Sequence, residues 1–424
     1  MSFPQIVLPR MVEVRQTVPA PKLEDFVSEI RKELGRAKLS ERVRPGAKIA
    51  ITAGSRGIAH IQQVLATVVD EVRAAWGDPF LIPAMGSHGG ATPEGQIAVL
   101  KSLGVTPETV GAPILATMEV SFVGRLGNGT PVYVDRNAMQ ADGIIVVGRV
   151  KPHTDFKDKI ESGLMKMIVI GLGKQKGAEM IHRFKSEGYH KLLPEAARLI
   201  MKKAPIILGL GVVENAHHEI AIVKAIEPKD IEAEEMELLE KAKGLLARIP
   251  FKDMDVLIID EIGKEISGTG MDTNVVGRFW LPGEHDPQAP NINIIVVLDL
   301  TEDTHGNAIG IGLADLTTQR LVSKIDYPST FVNALTGTHP LPGKTPISLP
   351  SDRDAITAAL HICGPIDPKE AKVVRIKNTQ YLERFWISES LRKTVEADEE
   401  LREKLEIVGE PREMQFDVLG TLAR

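Results

Sequence analysis

Five consecutive residues, Gly143-Ile144-Ile145-Val146-Val147, constrain this chain more than any other feature. The run is short, β-branched and bounded by Asp142-Gly143 and Gly148, which predicts a fully buried strand. In open α/β sheets ligands collect beyond the carboxyl ends of such strands, so chemistry is expected in the segment after Val147. From Gly148 to His182 the chain reads GRVKPHTDFKDKIESGLMKMIVIGLGKQKGAEMIH, a glycine-broken apolar segment flanked by Lys151, His153 and His182.

The same pattern recurs upstream. A strand over 48–52 ends in Ala53-Gly54-Ser55-Arg56-Gly57, and an amphipathic helix is expected over 58–76. A strand over 80–84 ends in Met85-Gly86-Ser87-His88-Gly89-Gly90, after which Thr92 caps a helix with Pro93 at its first position. Residues 111–135 read as β-structure with a hairpin at Gly127-Asn128-Gly129, residues 177–184 and 192–203 as helices, and 205–213 as a strand. At the start, 5–15 alternates like an edge strand and 21–39 like a helix with a charged outer face.

At 424 residues the chain exceeds what one core holds, roughly 250 to 300 residues, so two domains are expected. The charged helical stretch 231–248 reads as a connector, which puts a boundary near 250. Beyond it, Val256-Leu257-Ile258-Ile259-Asp260 and the run 293–300 are strands, each ending in a polar loop, so the second domain is α/β as well. The expected division is 1–250, 251–395 and an acidic tail helix in 396–424 that packs back on the first domain.

Hydrophobic residues make up 43% and charged residues 25%, as in a soluble enzyme, and the net charge of −6 argues against nucleic acid or an anionic membrane as partner. With one cysteine, Cys363, a thiolate cluster is excluded, and any metal would rest on histidine, carboxylate or a cofactor. Without an apolar leader or a run of about 18 apolar residues, a cytoplasmic location is expected.

Three strand ends carry the candidate chemistry, and a parallel sheet would bring them to one edge. Arg56 suits a carboxylate or phosphate through two parallel hydrogen bonds, and equally suits a surface pair with Glu71. His88, set among glycines, can trade protons near neutral pH or bond its own turn. Pro152 holds His153. Lys166 lies among Leu164, Met165, Met167 and Ile168, where desolvation would make an amine nucleophilic unless it snorkels out of a half-buried strand. The segment Gly171-Leu172-Gly173-Lys174-Gln175-Lys176-Gly177 could cradle a phosphate but matches no nucleotide fingerprint. Adjacent His217 and His218 would face opposite sides of a strand, so they read as structural.

Arg56, Gly86-Ser87-His88, Pro152-His153, Ser162-Gly163-Leu164-Met165-Lys166 and His182, in this order and spacing, resemble the lactate racemase family over most of 40–220. That family uses a nickel-pincer nucleotide, pyridinium-3,5-bisthiocarboxylic acid mononucleotide. The resemblance implies that Lys166 joins the cofactor as a thioamide and that His182 is the protein ligand to nickel. It implies acid/base roles for His88 and His153, a substrate carboxylate on Arg56, and cofactor contacts from Gly171 and Gly173. It further implies two α/β domains with the cofactor site in the cleft between them.

The implied reaction is racemisation or epimerisation of a small-molecule 2-hydroxy acid. The hydroxyl loses its proton, the 2-carbon gives a hydride to the cofactor, and the hydride returns to either face. In the second domain Lys264 is the candidate for substrate, with Ser267, Thr269, Asp272 and His305 nearby in sequence or at the next strand end; these rest on position only, and a structured surface loop is equally open.

Ala53 stands where the family has an aspartate, Gly89 and Gly90 where it often has arginine, and the linker from Thr154 to Glu161 is longer, which leaves the placement of His153 open. A substrate other than lactate is therefore expected. Open alternatives are another redox or dehydration reaction on a hydroxy acid, and nickel or cofactor binding without turnover. Homodimerisation stays open as well.

Overall fold

The computed structural model describes residues 6–55, 58–337 and 339–423. The chain forms two compact units, Pro19–Leu246 on one side and Met1–Val18 with Ala247–Arg424 on the other. Among the described residues no helix is long and apolar enough to cross a membrane.

The Pro19–Leu246 unit is built on a five-stranded sheet in the order Asp78–Pro83, Lys48–Ala53, Gly143–Arg149, Ile206–Glu214, Ile220–Ile226. The first four strands are parallel and the fifth pairs antiparallel. In Gly143–Arg149 every residue but the last is buried, as its β-branched composition requires. The helix Ile61–Ala74 covers one face of the sheet with Val64, Leu65, Val68, Val69 and Val72, all fully buried at the spacing of a single helical stripe. Burying each contributes roughly 1.5–3 kcal/mol. Ala53 lies opposite Pro83 in the register, so the loops after those strands and after Arg149 leave from one edge.

Three expectations change here. The charged stretch is a helix, Ile231–Gly244, but it is not a connector: Ile231, Leu238 and Leu239 are buried, and Gly209 and Gly211 make room for it against the strand Ile206–Glu214. The lysine-bearing segment is helical, not a half-buried strand, running through Leu164–Lys166, a π-turn over Met167–Gly171 and the helix Lys174–His182. The glycine-rich segment is consequently no open phosphate loop. A Cβ on Gly171 would lie 2.8 Å from the Ala84 carbonyl oxygen and one on Gly173 2.2 Å from that of Val169, so these glycines permit close packing. The expected hairpin is present, Val120–Arg125 with Pro131–Asp135.

The second unit holds an eight-stranded sheet in the order Ile347–Leu349, Leu316–Thr318, Asn291–Val297, Asp253–Ile259, Val373–Ile376, Arg384–Ser388, Met11–Gln16, Leu405–Arg412. Its first five strands are parallel and its last three antiparallel. The chain start therefore does not belong to the first unit, and its strand is not an edge: Met11–Gln16 is paired on both sides. The tail also differs from a single helix packing back on the first domain. Helices Glu389–Ala397 and Glu399–Lys404 give way to the strand Leu405–Arg412, which forms the edge beside Met11–Gln16. Gly409 at φ 80° and Pro411 interrupt that edge, which blunts it against further pairing.

Candidate active site

His88 sits in the loop after Asp78–Pro83, exposed at its tip. Gly86 turns the chain at φ 59°, and its backbone lies so near the π-turn that a Cβ would meet the Ile170 carbonyl oxygen at 3.3 Å. From below, Gln96, fully buried on the helix Pro93–Ser102, donates through Nε2 to the carbonyls of Gly86 (2.9 Å) and His88 (3.4 Å). Gln96 Oε1 in turn accepts from Lys174 Nζ at 3.0 Å. Lys174 also donates to the Pro83 carbonyl and pairs with Asp135 at 3.0 Å, both side chains having no exposure to solvent. Burial raises Asp135 and lowers Lys174, and each is opposed by the other's charge. The ring is fixed by Nδ1, which donates to the Met85 carbonyl at 2.7 Å.

His153 opens a loop whose ends are tied together: Lys151 N–H donates to the Ser162 carbonyl at 2.9 Å and Ser162 N–H returns the bond at 3.3 Å. The long linker folds inside that closure around Glu161, which is fully buried. Glu161 accepts the His153 N–H at 2.6 Å and the Asp158 N–H at 3.3 Å, and pairs with Lys157 (3.4 Å) and Lys243 (3.3 Å). Lys157 also donates to the His153 carbonyl at 2.7 Å. Phe156, fully buried, lies 4.6 Å from the His153 ring and stacks on Tyr189 at 4.5 Å. The extra length is thus spent on a closed loop, and His153 Nε2 meets Lys166 Nζ.

Lys166 is half-buried. Its helix begins over Glu235, whose Oε2 accepts the Met165 N–H at 2.8 Å, and Gly163 is a glycine because a Cβ there would lie 2.5 Å from that carboxyl group. Burial pushes Glu235 up to about 7, against the lowering effect of the Met165 and Leu164 amides. Its Oε1 has no hydrogen-bond partner among the described residues. Farther along, burial pushes the His182 imidazole down to about 4, with the nearby Lys166 and His88 as lesser causes. At neutral pH His182 is therefore uncharged, the state that ligates metals. Tyr189 lies between the rings of His153 and His182, 5.8 Å from each, and burial with the Asp155 charge raises its phenol.

His88, His153, Lys166 and His182, read from two separate strand-end segments, are thus neighbours in one unit. A family model described as lactate racemase N-terminal domain matches residues 2–189. The first part of the chain is thus similar to the lactate racemase N-terminal domain. The lactate racemase apoprotein from Thermoanaerobacterium thermosaccharolyticum is similar in fold, with a TM-score of 0.53 at 13% identity over 87% of this chain and 98% of that one. No curated protein matches this chain in sequence.

Other expected residues fare differently. Arg56 lies outside the described residues, and Glu71 pairs with Arg31 at 3.4 Å. His218 approaches Glu214 at 3.8 Å, which pairs with Arg149 at 2.5 Å, so that histidine belongs to an ion-pair cluster. In the second unit Lys264 is exposed and its N–H donates to Thr304 Oγ1 at 3.1 Å, Ser267 and Thr269 bond each other at 2.7 Å, and Asp272 caps the short helix Thr273–Val276. Sequence reasoning missed Gln96, Asp135, Glu161, Tyr189 and Glu235. Their signal is contact across the fold, which a linear pattern does not carry.

Proposed function

We propose that this protein is a racemase or epimerase of a 2-hydroxy acid that works with a nickel-pincer nucleotide. The observation that carries the reading is the convergence of a half-buried lysine amine, an imidazole kept neutral by burial, and two further histidines gripped by buried networks. This donor set fits the group. Lys166 would hold it covalently and His182 would ligate nickel. Among the described residues no three His, Cys, Asp or Glu side chains cluster to hold a metal, so the remaining donors would come from the nucleotide. Bound there, the nickel-pincer nucleotide would supply the acceptor for the C2 hydride and its return to either face of the planar 2-oxo acid.

The chain's own residues do the rest. His88 and His153 take and return the hydroxyl proton, one on each side of the substrate carbon. Arg56 is assigned the carboxylate, and Lys264 a substrate contact by its place at a strand end. Gly171 and Gly173 serve the cofactor indirectly: Gly171 lets the π-turn between Lys166 and His182 sit against the strand end at Ala84, and Gly173 lets the following helix close on the Val169 carbonyl.

Coexpression with a pincer-nucleotide biosynthetic system, followed by intact mass and nickel analysis, tests the reading. A covalent increment that is lost in Lys166→Ala, about one nickel per chain that is lost in His182→Ala, and loss of optical activity from one of a panel of 2-hydroxy acids are expected. His88→Ala should keep nickel and lose isomerisation. No increment and no nickel, with the biosynthetic system verified on a known lactate racemase, would sink the assignment. Nickel and increment without isomerisation of any 2-hydroxy acid would favour binding without turnover.

A further inference from the structure

Backbone groups have fixed hydrogen-bonding roles: an amide N–H only donates and a carbonyl oxygen only accepts. An imidazole nitrogen bonded to one of them has its protonation decided by its partner. His88 Nδ1 lies 2.7 Å from the Met85 carbonyl, so Nδ1 carries hydrogen and the neutral ring keeps its lone pair on Nε2. His153 Nδ1 receives the Asp155 N–H at 2.9 Å, so it is unprotonated and the neutral ring carries its hydrogen on Nε2, which donates to Lys166 Nζ in its neutral amine form, since an ammonium there could not accept it.

We propose that the fold holds these two histidines in opposite tautomers, so that in the resting protein His88 is the proton acceptor of the pair and His153 the hydrogen-bond donor. Both arrangements are built in. The His88 N–H donates to the same Met85 carbonyl at 3.1 Å, Met85 is buried, and Gln96 grips the His88 carbonyl. Around His153, Glu161 and Lys157 hold the backbone N–H and carbonyl, while Phe156 and Tyr189 flank the ring.

The consequence rests on the function proposed above. A proton arriving at His88 Nε2 leaves the Nδ1–H bond to Met85 intact, and the imidazolium still donates there. A proton arriving on the neutral His153 ring would have to go to Nδ1, where its N–H would oppose the Asp155 N–H. His153 can therefore act as a base only after the Asp155 amide has turned away, whether the new proton goes to Nδ1 or to an Nε2 whose own hydrogen has moved to Nδ1. Met85 and Asp155 are thus positioning residues acting through their backbones, and the two directions of the reaction begin from unequal states.

Nitrogen NMR of the full chain labelled with ¹⁵N-histidine, at about pH 8 where ordinary imidazoles are neutral, reads the tautomers directly. His88→Gln and His153→Gln spectra assign the two rings. The expected result is a protonated Nδ1 in His88 and a protonated Nε2 in His153. Asp155→Pro, which removes the donating N–H, should shift His153 toward a mixture of tautomers and leave His88 unchanged; if that variant does not fold, the wild-type spectrum decides by itself. The same tautomer in both rings, or a His153 signal indifferent to Asp155→Pro, would overturn the inference. Because the spectrum needs neither nickel nor turnover, opposite tautomers in a protein that isomerises nothing would refute the proposed function and leave this inference standing. Matching tautomers in an active isomerase would do the reverse.

Discussion

The loop that carries His88 is fastened by a lysine and an aspartate with no exposure to water, whereas the loop that carries His153 is fastened by a buried glutamate whose lysine partners stay 12% and 22% exposed. The first clamp draws on two distant parts of the chain, Asp135 and Lys174, joined to the loop through the nearby Gln96. The second is mostly local, with Lys157 and Glu161 inside the loop they hold and Lys243 from outside. A dry ion pair is expensive to desolvate, and losing one member alone strands the other, so it holds the chain firmly as long as both are present. A pair with one wet end costs less and holds less firmly. The difference suits the tautomers: His88 keeps its Nδ1 bond through a full protonation cycle, while His153 has to yield one.

The sharpest way to break the comparison is Lys174→Met, which strands Asp135 in the core. Removing one member of a buried pair costs roughly 3–5 kcal/mol, and urea denaturation should show a loss of that size. Adding Asp135→Leu should recover much of it. A double variant as unstable as the single one would mean that packing, and not charge, holds the His88 side.

Next in size is Glu235, which caps the helix that both loops touch. Its carboxyl group titrates near 7 in the folded protein against an ordinary 4.5. Between those values the unfolded chain releases the proton that the native state keeps, so stability falls as pH rises through that window. The loss accumulated above it is on the order of 3 kcal/mol. Glu235→Gln cannot ionise and should match the wild type near pH 5 while exceeding it at pH 8. Parallel stability curves across that range would mean that Glu235 is not the group that titrates there.

The strand ends that deliver His88 and His153 were legible because a buried strand must be a continuous apolar run and a ligand-facing loop a glycine-rich polar one. The clamps were not. Lys174 reads as part of a glycine-rich segment that could cradle a phosphate, and only the fold shows Asp135, 39 positions earlier, beside it. Glu161 and Glu235 likewise sit in charged stretches that look solvated. The boundary expected near 250 falls beside the observed one at Leu246, but the chain start was placed in the wrong unit for a related reason: Met11–Gln16 finds its partners in Arg384–Ser388 and Leu405–Arg412, and pairing at that separation leaves no local trace. What the periodic pattern supplies is the element; which polar side chain is buried beneath it depends on contacts formed only once the sheet is assembled.

Two smaller substitutions test whether the clamps differ in kind. Gln96→Leu removes the donor to the Gly86 and His88 carbonyls and the acceptor for Lys174, and should cost about 2 kcal/mol, with no dependence on salt. Glu161→Gln keeps one oxygen for the His153 N–H but loses its charge toward Lys157 and Lys243, and should cost about 1 kcal/mol in dilute buffer. Because those lysines reach water, salt at about 0.5 M, where screening acts within a few ångströms, should narrow the gap between Glu161→Gln and wild type. It should leave the gap for Lys174→Met unchanged, since no ion can approach a pair with zero exposure. Equal salt responses would mean that the two loops are held by the same kind of interaction and that their different depth of burial has no energetic consequence.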